Sequence, residues 1–314
     1  MHLQSIVLLS LAVSCTWAAD LRLGIVGTDT SHAIAFAKAL NSPDAPPKLA
    51  GAKIVAAYKG GSPDVESSHT RVEKYAEELR TTYGVEIVPD IATLVSKVDA
   101  VLLLSVDGRT HVRQVKEIFA AKKPVFIDKP LASTLEDARE IARLGKQAGV
   151  PWFSTSSLRY GPLADSMKGP GIQGAIVWGP GPTEEHHALD LTWYGIHSVE
   201  LLYSILGPGC EAVSMISEKD ADVVVGQWKD GKLGTLRLAR PYGPFGATVF
   251  RGKDVVQSDP KATQVDYKPM LERVLEFFRT GNRPVPEAET LEIFAFMDAA
   301  QRSKQSGGAP AKLR

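Results

Sequence analysis

Residues 21–40 read LRLGIVGTDTSHAIAFAKAL, and this stretch decides the fold. The short apolar run Leu21–Val26 predicts a β-strand, and Gly27 follows it directly. Thr28–Leu40 then carries apolar residues at helical spacing, with Ser31 placed to cap the helix. A strand, a glycine turn and a helix in this order predict the first unit of a parallel, doubly wound α/β sheet.

The alternation of strand and helix continues to about residue 154. The later predicted strands are mostly apolar and β-branched, which is typical of parallel strands covered on both faces. They are Lys53–Tyr58, Glu86–Val88, Ala100–Ser105, Val125–Ile127 and Pro151–Ser154. Ligands of such sheets bind beyond the carboxyl ends of the strands, so the residues that follow each strand are the candidates for function.

The pattern changes after Ser157, where glycine and proline become frequent. A helix is predicted over Trp193–Leu206, and the short alternating stretches that follow it indicate an antiparallel sheet. Two further helices are predicted over Lys268–Thr280 and Ala288–Ser306. We therefore expect a Rossmann domain over residues 20–158 and an α+β domain, built on a mainly antiparallel sheet, over residues 159–314.

Composition bears on partners and location. The 36 basic and 36 acidic residues cancel, which argues against a nucleic-acid partner because such a partner needs a basic excess. Ser5–Val13 is an apolar run too short to span a bilayer, and small residues suited to cleavage follow it. Residues 1–19 therefore predict a secretory signal and an exported, periplasmic or secreted protein; a misassigned start and a buried apolar N-terminus are the alternatives. Cys210 then remains as a single thiol, expected in the core.

The turn after the first strand departs from the dinucleotide-binding pattern Gly-x-Gly-x-x-Gly, whose glycines let the pyrophosphate approach the backbone. Gly27 is kept, but Asp29 and His32 stand at the other two glycine positions, and Asp29 brings a negative charge to the phosphate site. One hypothesis is a Rossmann scaffold whose phosphate site is altered or lost. The other is a remodelled cofactor loop that includes Thr28 and Ser31, with His32 near the phosphates.

The end of the second strand bears on which dinucleotide would bind. A carboxylate at this place usually binds the ribose hydroxyls of NAD, but here Lys59 occupies it, followed by Gly60, Gly61 and Ser62. A cation beside small hydroxylated residues favours the 2′-phosphate, and thus NADP over NAD. A solvated lysine at a strand end is the alternative.

Two later strand ends carry the remaining candidates of the first half. Ser105 ends the apolar strand Ala100–Ser105 and Asp107 and His111 follow it, on the edge expected to face the nicotinamide ribose. Asp128 and Lys129 follow the next strand, at the crevice between the domains. A lysine that is partly desolvated there can exchange a proton with a substrate hydroxyl.

Four motifs occur in a consistent order along the chain: Ser105–His111, VFIDKP at residues 125–130, the run that ends in Arg159-Tyr160, and GIHSVE at residues 195–200. They resemble, respectively, the Thr-Pro-Asn…His segment, the Glu-Lys-Pro strand end, the Arg-Tyr strand end and the Gly-x-His-x-x-Asp helix of the glucose–fructose oxidoreductase/inositol dehydrogenase/MocA family. The resemblance covers nearly the whole chain after the predicted signal.

The resemblance implies that Lys129 positions the substrate and relays its proton, and that His197 is the acid/base histidine of the opposing domain. The family commonly has an aspartate four residues before that histidine, where this sequence has Trp193. Asp190 shares the face of His197 only if the helix starts early, and otherwise the catalytic triad is incomplete.

A polar cleft is expected around these residues. Arg159, Tyr160, His187 and Tyr194 are candidates to bind a polyhydroxylated ligand together with Lys129 and His197. No metal is predicted, because adjacent histidines rarely bind one ion and no His-x₃-His or cysteine pair supports His186-His187.

Two main functions remain open at this point, beside a third in which a retained cofactor oxidises a glycoside transiently for its elimination or hydrolysis. One is an NADP- or NAD-dependent oxidoreductase that acts on a sugar, polyol or derivative by hydride transfer. The other is a non-redox carbohydrate-binding or accessory protein that has lost its dinucleotide. The resemblance also makes a homo-oligomer a reasonable expectation.

Overall fold

The computed structural model describes residues 20–263 and 265–314. The predicted secretory signal, residues 1–19, lies outside the described residues, so export remains a prediction. Within the described ranges, no helix is long and apolar enough to cross a bilayer.

The first half forms a six-stranded parallel sheet with strand order β3-β2-β1-β4-β5-β6. Its elements, in chain order, are β1 (Leu21–Val26), α1 (Ser31–Asn41), β2 (Ala52–Tyr58), α2 (Glu66–His69), α3 (Val72–Tyr83), β3 (Glu86–Val88), α4 (Ile91–Lys97), β4 (Ala100–Leu103), α5 (His111–Ala120), β5 (Val125–Asp128), α6 (Leu135–Ala148) and β6 (Trp152–Thr155). The predicted doubly wound sheet is confirmed. Strand order reverses between β1 and β4, which opens a crevice at their carboxyl ends.

The turn after β1 depends on a glycine, as the sequence indicates. Gly27 has φ +93°, and a Cβ there would lie 2.3 Å from the backbone nitrogen of Ser105. The helix cap, however, is one residue earlier than predicted. Thr30 has the extended backbone of a cap, and its hydroxyl accepts the N–H of His32, whereas Ser31 is already the first residue of α1.

The second half forms a seven-stranded sheet with order β12-β11-β7-β10-β9-β8-β13, and its elements begin at α7. They are α7 (Pro162–Met167), β7 (Ile172–Pro180), α8 (Gly195–Leu206), β8 (Cys210–Ser217), β9 (Ala221–Trp228), β10 (Leu233–Ala239), β11 (Gly246–Arg251), β12 (Asp254–Gln257), α9 (Lys268–Thr280), α10 (Glu287–Gln305) and β13 (Ala311–Lys312). Only the β7–β10 pair is parallel among these described strands, so the mainly antiparallel prediction is confirmed. Cys210 is buried and free at the start of β8.

Strand β7 was not predicted, because glycines interrupt its apolar pattern. The structure explains one of them: a Cβ on Gly174 would lie 2.8 Å from the carbonyl oxygen of Leu233, so the close approach of β10 requires a glycine there. Glycine in a strand often marks such an approach.

Helix α9 follows the second sheet in sequence but packs on the first domain. Met270, Val274 and Phe277 are fully buried in the same apolar cluster as residues of α1 and of the parallel sheet. The ring of Phe277 meets that of Phe153 in β6 at 4.8 Å. Burial of each such side chain contributes roughly 1.5–3 kcal/mol, so α9 is a substantial part of the Rossmann core.

Candidate functional site

A cleft of about 170 Å³ lies where the carboxyl ends of the parallel strands meet α8. The first half contributes Thr30, Ser31, His32, Arg71, Val106 and Lys129, and later residues on its wall include Ser157, Trp193, Tyr194, His197, Tyr242, Phe245 and Tyr267. Because a cavity of about 150 Å³ holds benzene, this volume fits a ligand of about monosaccharide size.

Lys129 reaches the cleft directly after β5. Its Nζ lies 5.8 Å from the centre of the Tyr194 ring, and its backbone N–H donates to Asp128 Oδ1 at 2.9 Å. Burial lowers the pKa of Lys129; the carboxylate of Asp128 opposes this shift, and the positive charge of Arg71 adds to it. A lysine in this environment releases its proton more readily than a solvated one.

His197 enters the same cleft from α8. Its Nδ1 lies 2.7 Å from Ser156 Oγ, which also accepts the N–H of Leu158 at 3.2 Å. This arrangement favours donation of the Ser156 hydroxyl proton to Nδ1, which leaves Nε2 with the ring proton for a ligand. Burial lowers the pKa of His197 well below its ordinary value, and positive charge on Lys129 and His32 acts in the same direction. His197 is therefore a neutral imidazole at neutral pH.

The structure does not bring Asp190 to His197. Helix α8 begins at Gly195, and Asp190 lies in a separate turn, Asp190–Thr192, with its Oδ2 2.6 Å from Lys304 Nζ. Trp193 lines the cleft where the resembling family has its aspartate. A serine hydroxyl, and not a carboxylate, thus orients the imidazole of His197.

Two residues predicted to bind a cofactor pair with each other. His32, at the start of α1, bonds through Nδ1 to the buried carboxylate of Asp128. The His32 ring also packs against Tyr267, with 4.7 Å between ring centres. His32 and Asp128 therefore bind each other beside Lys129.

The carboxylate of Asp29 fills the crevice between β1 and β4. It is fully buried, accepts the Ser68 hydroxyl at 2.6 Å and accepts the N–H of Val106 at 3.2 Å. Nearby, Thr28 donates its hydroxyl to the carbonyl oxygen of Val72 at 2.9 Å. These bonds hold the segment after β2 against the turn where a pyrophosphate would lie.

Asp107 forms a second bridge across the crevice. It is 1% exposed and accepts Ser62 Oγ at 2.6 Å, Arg109 Nη2 at 2.8 Å and His187 Nε2 at 3.2 Å. Arg109 continues the bridge with two bonds of 2.9 Å to Asp64. Burial raises the pKa of the Asp107 carboxyl, but the hydrogen bonds from His187, Arg109 and Ser62 outweigh it and hold this pKa well below the ordinary value.

Three other predicted cofactor residues have partners within the protein. The buried ring of His111 spans the carbonyl oxygens of Ser105 and Leu131, at 2.9 and 3.0 Å, and ties the ends of β4 and β5 together. Ser105 Oγ accepts Gln114 Nε2 at 2.9 Å. Lys59 forms an exposed ion pair with Glu73 at 2.9 Å.

The predicted substrate residues fall into two groups. Tyr194 lines the cleft with Lys129 and His197. Arg159, Tyr160 and His187 are not among the described residues on its wall. Arg159 instead forms a buried ion pair with Glu200 at 2.6 Å, and burial raises the pKa of Tyr160 to about 12. His187 belongs to the Asp107 bridge.

Sequence reasoning missed several residues of the cleft wall. Arg71, Tyr242, Phe245 and Tyr267 come from segments with no recognisable motif, and only the fold brings them together. Ser156 was visible as part of a run of hydroxyl residues, but its pairing with His197 was not. The described residues contain no group of three or more His, Cys, Asp or Glu side chains arranged to hold a metal ion.

Side-chain bonds close the crevice in this arrangement, so a dinucleotide would have to displace them. The bond Ser68–Asp29 joins the segment after β2 to the turn after β1, and the bond Ser62–Asp107 joins the loops after β2 and β4; both are 2.6 Å and lie where the adenosine half of a dinucleotide lies in Rossmann folds. Asp29 accepts the N–H of Val106 and holds a carboxylate at the phosphate turn. The remaining cleft of about 170 Å³ is below the roughly 300–1,000 Å³ of sites for drug-sized ligands.

Comparison with known proteins bears on both halves. Residues 21–157 match the family model described as "Oxidoreductase family, NAD-binding Rossmann fold". Inositol 2-dehydrogenase 2 of Paenarthrobacter aurescens (strain TC1) is 31% identical over 163 residues, which cover 46% of this chain and 48% of that protein. The chain thus spans about half the length of this curated relative.

Solved structures match over almost the entire chain. GenD2 from gentamicin A biosynthesis, in complex with NAD, superposes with a TM-score of 0.73 at 16% identity and covers 97% of this chain and 99% of its own. Myo-inositol dehydrogenase from Lactobacillus casei, in complex with NAD(H) and myo-inositol, gives 0.71 at 16% identity and covers 94% and 97%. At these identities the likeness establishes the fold alone.

The sequence match and the fold agree with the motifs at residues 105–111, 125–130 and 195–200. The Rossmann domain is therefore similar, over residues 21–157, to the NAD-binding domain of that oxidoreductase family, and the motifs resemble those of the glucose–fructose oxidoreductase/inositol dehydrogenase/MocA proteins.

Proposed function

We propose that this protein binds a sugar, polyol or derivative in the cleft and exchanges a proton with one of its hydroxyl groups through Lys129 and His197. The observation that carries the proposal is the position of these two side chains, which come from opposite halves of the chain and line one cleft. Both have a lowered pKa with burial as the main cause, as suits groups that take part in acid–base chemistry.

The remaining wall suits the same class of ligand. Tyr194 and Tyr242 present aromatic rings whose faces can pack on the C–H groups of a sugar. Ser31 and Ser157 add hydroxyls that can bind ligand hydroxyls. The similar proteins include several inositol dehydrogenases, and one of these is in complex with NAD(H) and myo-inositol.

Two uses of this site are separate hypotheses. The match to an NAD-binding oxidoreductase family favours oxidation of the ligand, with a dinucleotide as hydride carrier. The crevice filled by Asp29, Ser62, Ser68 and Asp107 favours a non-redox use, because a dinucleotide has to displace these buried bonds before it can bind. We put the oxidoreductase use first because the family match supports it, and the non-redox binding protein is the alternative.

The first experiment tests the cleft. The purified protein is heated with a panel of monosaccharides and polyols, each near 10 mM, and the unfolding temperature is recorded for wild type, Lys129→Ala and His197→Ala. Lys146→Ala, an exposed lysine on α6, is the control. A ligand present at about 100 times its Kd stabilises the fold by about 2.7 kcal/mol. We expect at least one panel member to stabilise wild type and the control but neither cleft variant.

The second experiment separates the two uses. A denatured sample is assayed for released nucleotide, and calorimetry measures binding of NAD⁺ and NADP⁺ to the native protein. Released nucleotide, or a dinucleotide Kd in the micromolar range, would establish the oxidoreductase use and refute the non-redox one.

The heating experiment has its own contradicting outcome. If every panel member that binds wild type also binds both cleft variants unchanged, the assignment of Lys129 and His197 is wrong.

A further inference from the structure

The cleft has an unbalanced charge. Arg71 and Lys129 both line it, and neither forms an ion pair with any described residue. No aspartate or glutamate is among the described residues on the cleft wall. Arg71 is exposed and keeps its hydration, but it and the partly buried Lys129 together give the cleft a positive potential, which indicates a negative partner from outside the chain.

The carboxylate beside Lys129 is already engaged with other groups. Asp128 precedes Lys129, and one of its oxygens bonds to His32 while the other accepts the backbone N–H of Lys129. Burial lowers the pKa of His197 well below its ordinary value, so this ring adds no positive charge at neutral pH. Asp128 thus offsets part of the charge on Lys129, and it forms no ion pair with Arg71.

Arg71 is held at the cleft edge by the fold. It directly precedes α3, whose first residue Val72 accepts the Thr28 hydroxyl through its carbonyl oxygen at 2.9 Å. Its charge is near enough to Lys129 to contribute to the lowered pKa of that lysine. Thr30 and Ser31, at the N-terminus of α1, line the same wall, and a helix N-terminus adds partial positive charge.

From these observations we infer that the ligand of the cleft is a sugar acid: a polyhydroxylated molecule of monosaccharide size that carries a carboxylate. The inference rests on the proposed function and names its substrate class. Arg71 would bind the carboxylate with its planar guanidinium, whose paired N–H groups match a carboxylate, while Lys129 and His197 contact a hydroxyl. Trp193 and Tyr194 would pack against the carbon skeleton.

The test compares sugar acids with their neutral counterparts by calorimetry. The pairs are D-glucuronate with D-glucose, D-galacturonate with D-galactose and D-gluconate with D-glucitol; D-glucose 6-phosphate distinguishes a phosphate from a carboxylate. Each probe is titrated into wild type, Arg71→Gln, Arg71→Lys and the control Arg113→Gln, an exposed arginine on α5. We expect an acid to bind at least tenfold more tightly than its neutral partner, and Arg71→Gln to remove that preference.

The conservative variant and the control sharpen the result. Arg71→Lys should retain part of the preference, because it keeps the charge and loses the paired geometry, and Arg113→Gln should retain all of it. Equal affinity for the acid and neutral member of each pair would overturn the anion inference and leave the proposed function standing. Tightest binding of D-glucose 6-phosphate would overturn the carboxylate assignment.

The absence of binding by every probe would count against the proposed function. The placement of Arg71 beside Lys129 can then still be tested by a measurement that needs no ligand. The rate at which acetic anhydride modifies Lys129 is measured by mass spectrometry against pH in wild type and Arg71→Gln. Loss of the Arg71 charge should raise the pKa of Lys129 and slow its reaction at a given pH. Identical profiles would show that Arg71 does not face Lys129 and would overturn the inference.

Discussion

Replacement of Asp107 by alanine tests whether the side-chain bridge across the crevice stabilises the fold. The change removes the acceptor for Ser62, Arg109 and His187 at a site that is 1% exposed. Loss of one partner of a buried ion pair costs about 3–5 kcal/mol. Arg109 is 31% exposed and keeps its bonds to Asp64, so its charge is not stranded and the cost falls toward the lower end, about 3 kcal/mol.

The measurement is urea unfolding of wild type, Asp107→Ala and Asp64→Ala, followed by tryptophan fluorescence. Asp64 is 49% exposed and serves as the control, because removal of an exposed ion pair should cost less than about 1 kcal/mol. If Asp107→Ala costs no more than Asp64→Ala, the bridge does not hold the crevice closed and does not oppose the binding of a dinucleotide.

The pH dependence of the same experiment has a definite sign. Hydrogen bonds hold the pKa of Asp107 below its ordinary value in the folded state, so the unfolded chain binds a proton more readily than the folded one. The stabilisation by Asp107 is therefore complete above the ordinary carboxyl pKa of about 3.9 and is lost as pH falls through the lower folded pKa. The difference between wild type and Asp107→Ala should be constant from about pH 5 to 8 and shrink below about pH 4.

Two further substitutions test the turn after β1. Gly27→Ala should lower the free energy of unfolding by more than about 2 kcal/mol or prevent folding, because φ is +93° and a Cβ would lie 2.3 Å from Ser105 N. The control Gly84→Ala, at φ +67° with open space around it, should cost about 1 kcal/mol. Equal losses for the two variants in urea unfolding would refute the steric explanation. Asp29→Asn should be at least as stable as wild type at pH 7, because burial raises the pKa of Asp29 and its ionisation then opposes folding. The advantage of the variant should vanish as pH falls below about 4, where the carboxyl is protonated in both states. Greater stability of wild type than of the variant at pH 7 would contradict this prediction.

The architecture could be predicted from sequence because its signals are local. The apolar strands and the turn at Gly27 specify the parallel sheet, and the order of the motifs indicated a resemblance to one oxidoreductase family. Strand β7 was missed because Gly174, which allows the close approach of β10, looks from the sequence alone like a break in the strand.

The site was predictable only in part, since its decisive contacts join distant segments. Lys129 and His197 were identified by their motifs and do line one cleft. Ser62 and Ser68 read singly as ordinary surface residues, and nothing local indicates that they bond to Asp107 and Asp29. Asp190 shows the same limit, because its side chain pairs with Lys304, 114 positions further along.

The packing of α9 has a consequence for how the chain can be divided. A fragment that ends near residue 158 would contain every strand of the parallel sheet and still lack the helix whose Phe277 covers Phe153. Its uncovered apolar face would favour self-association over folding. The two sheets therefore do not mark two parts of the chain that fold independently. A recombinant protein with a different second half would also need a helix that packs on the first half as α9 does.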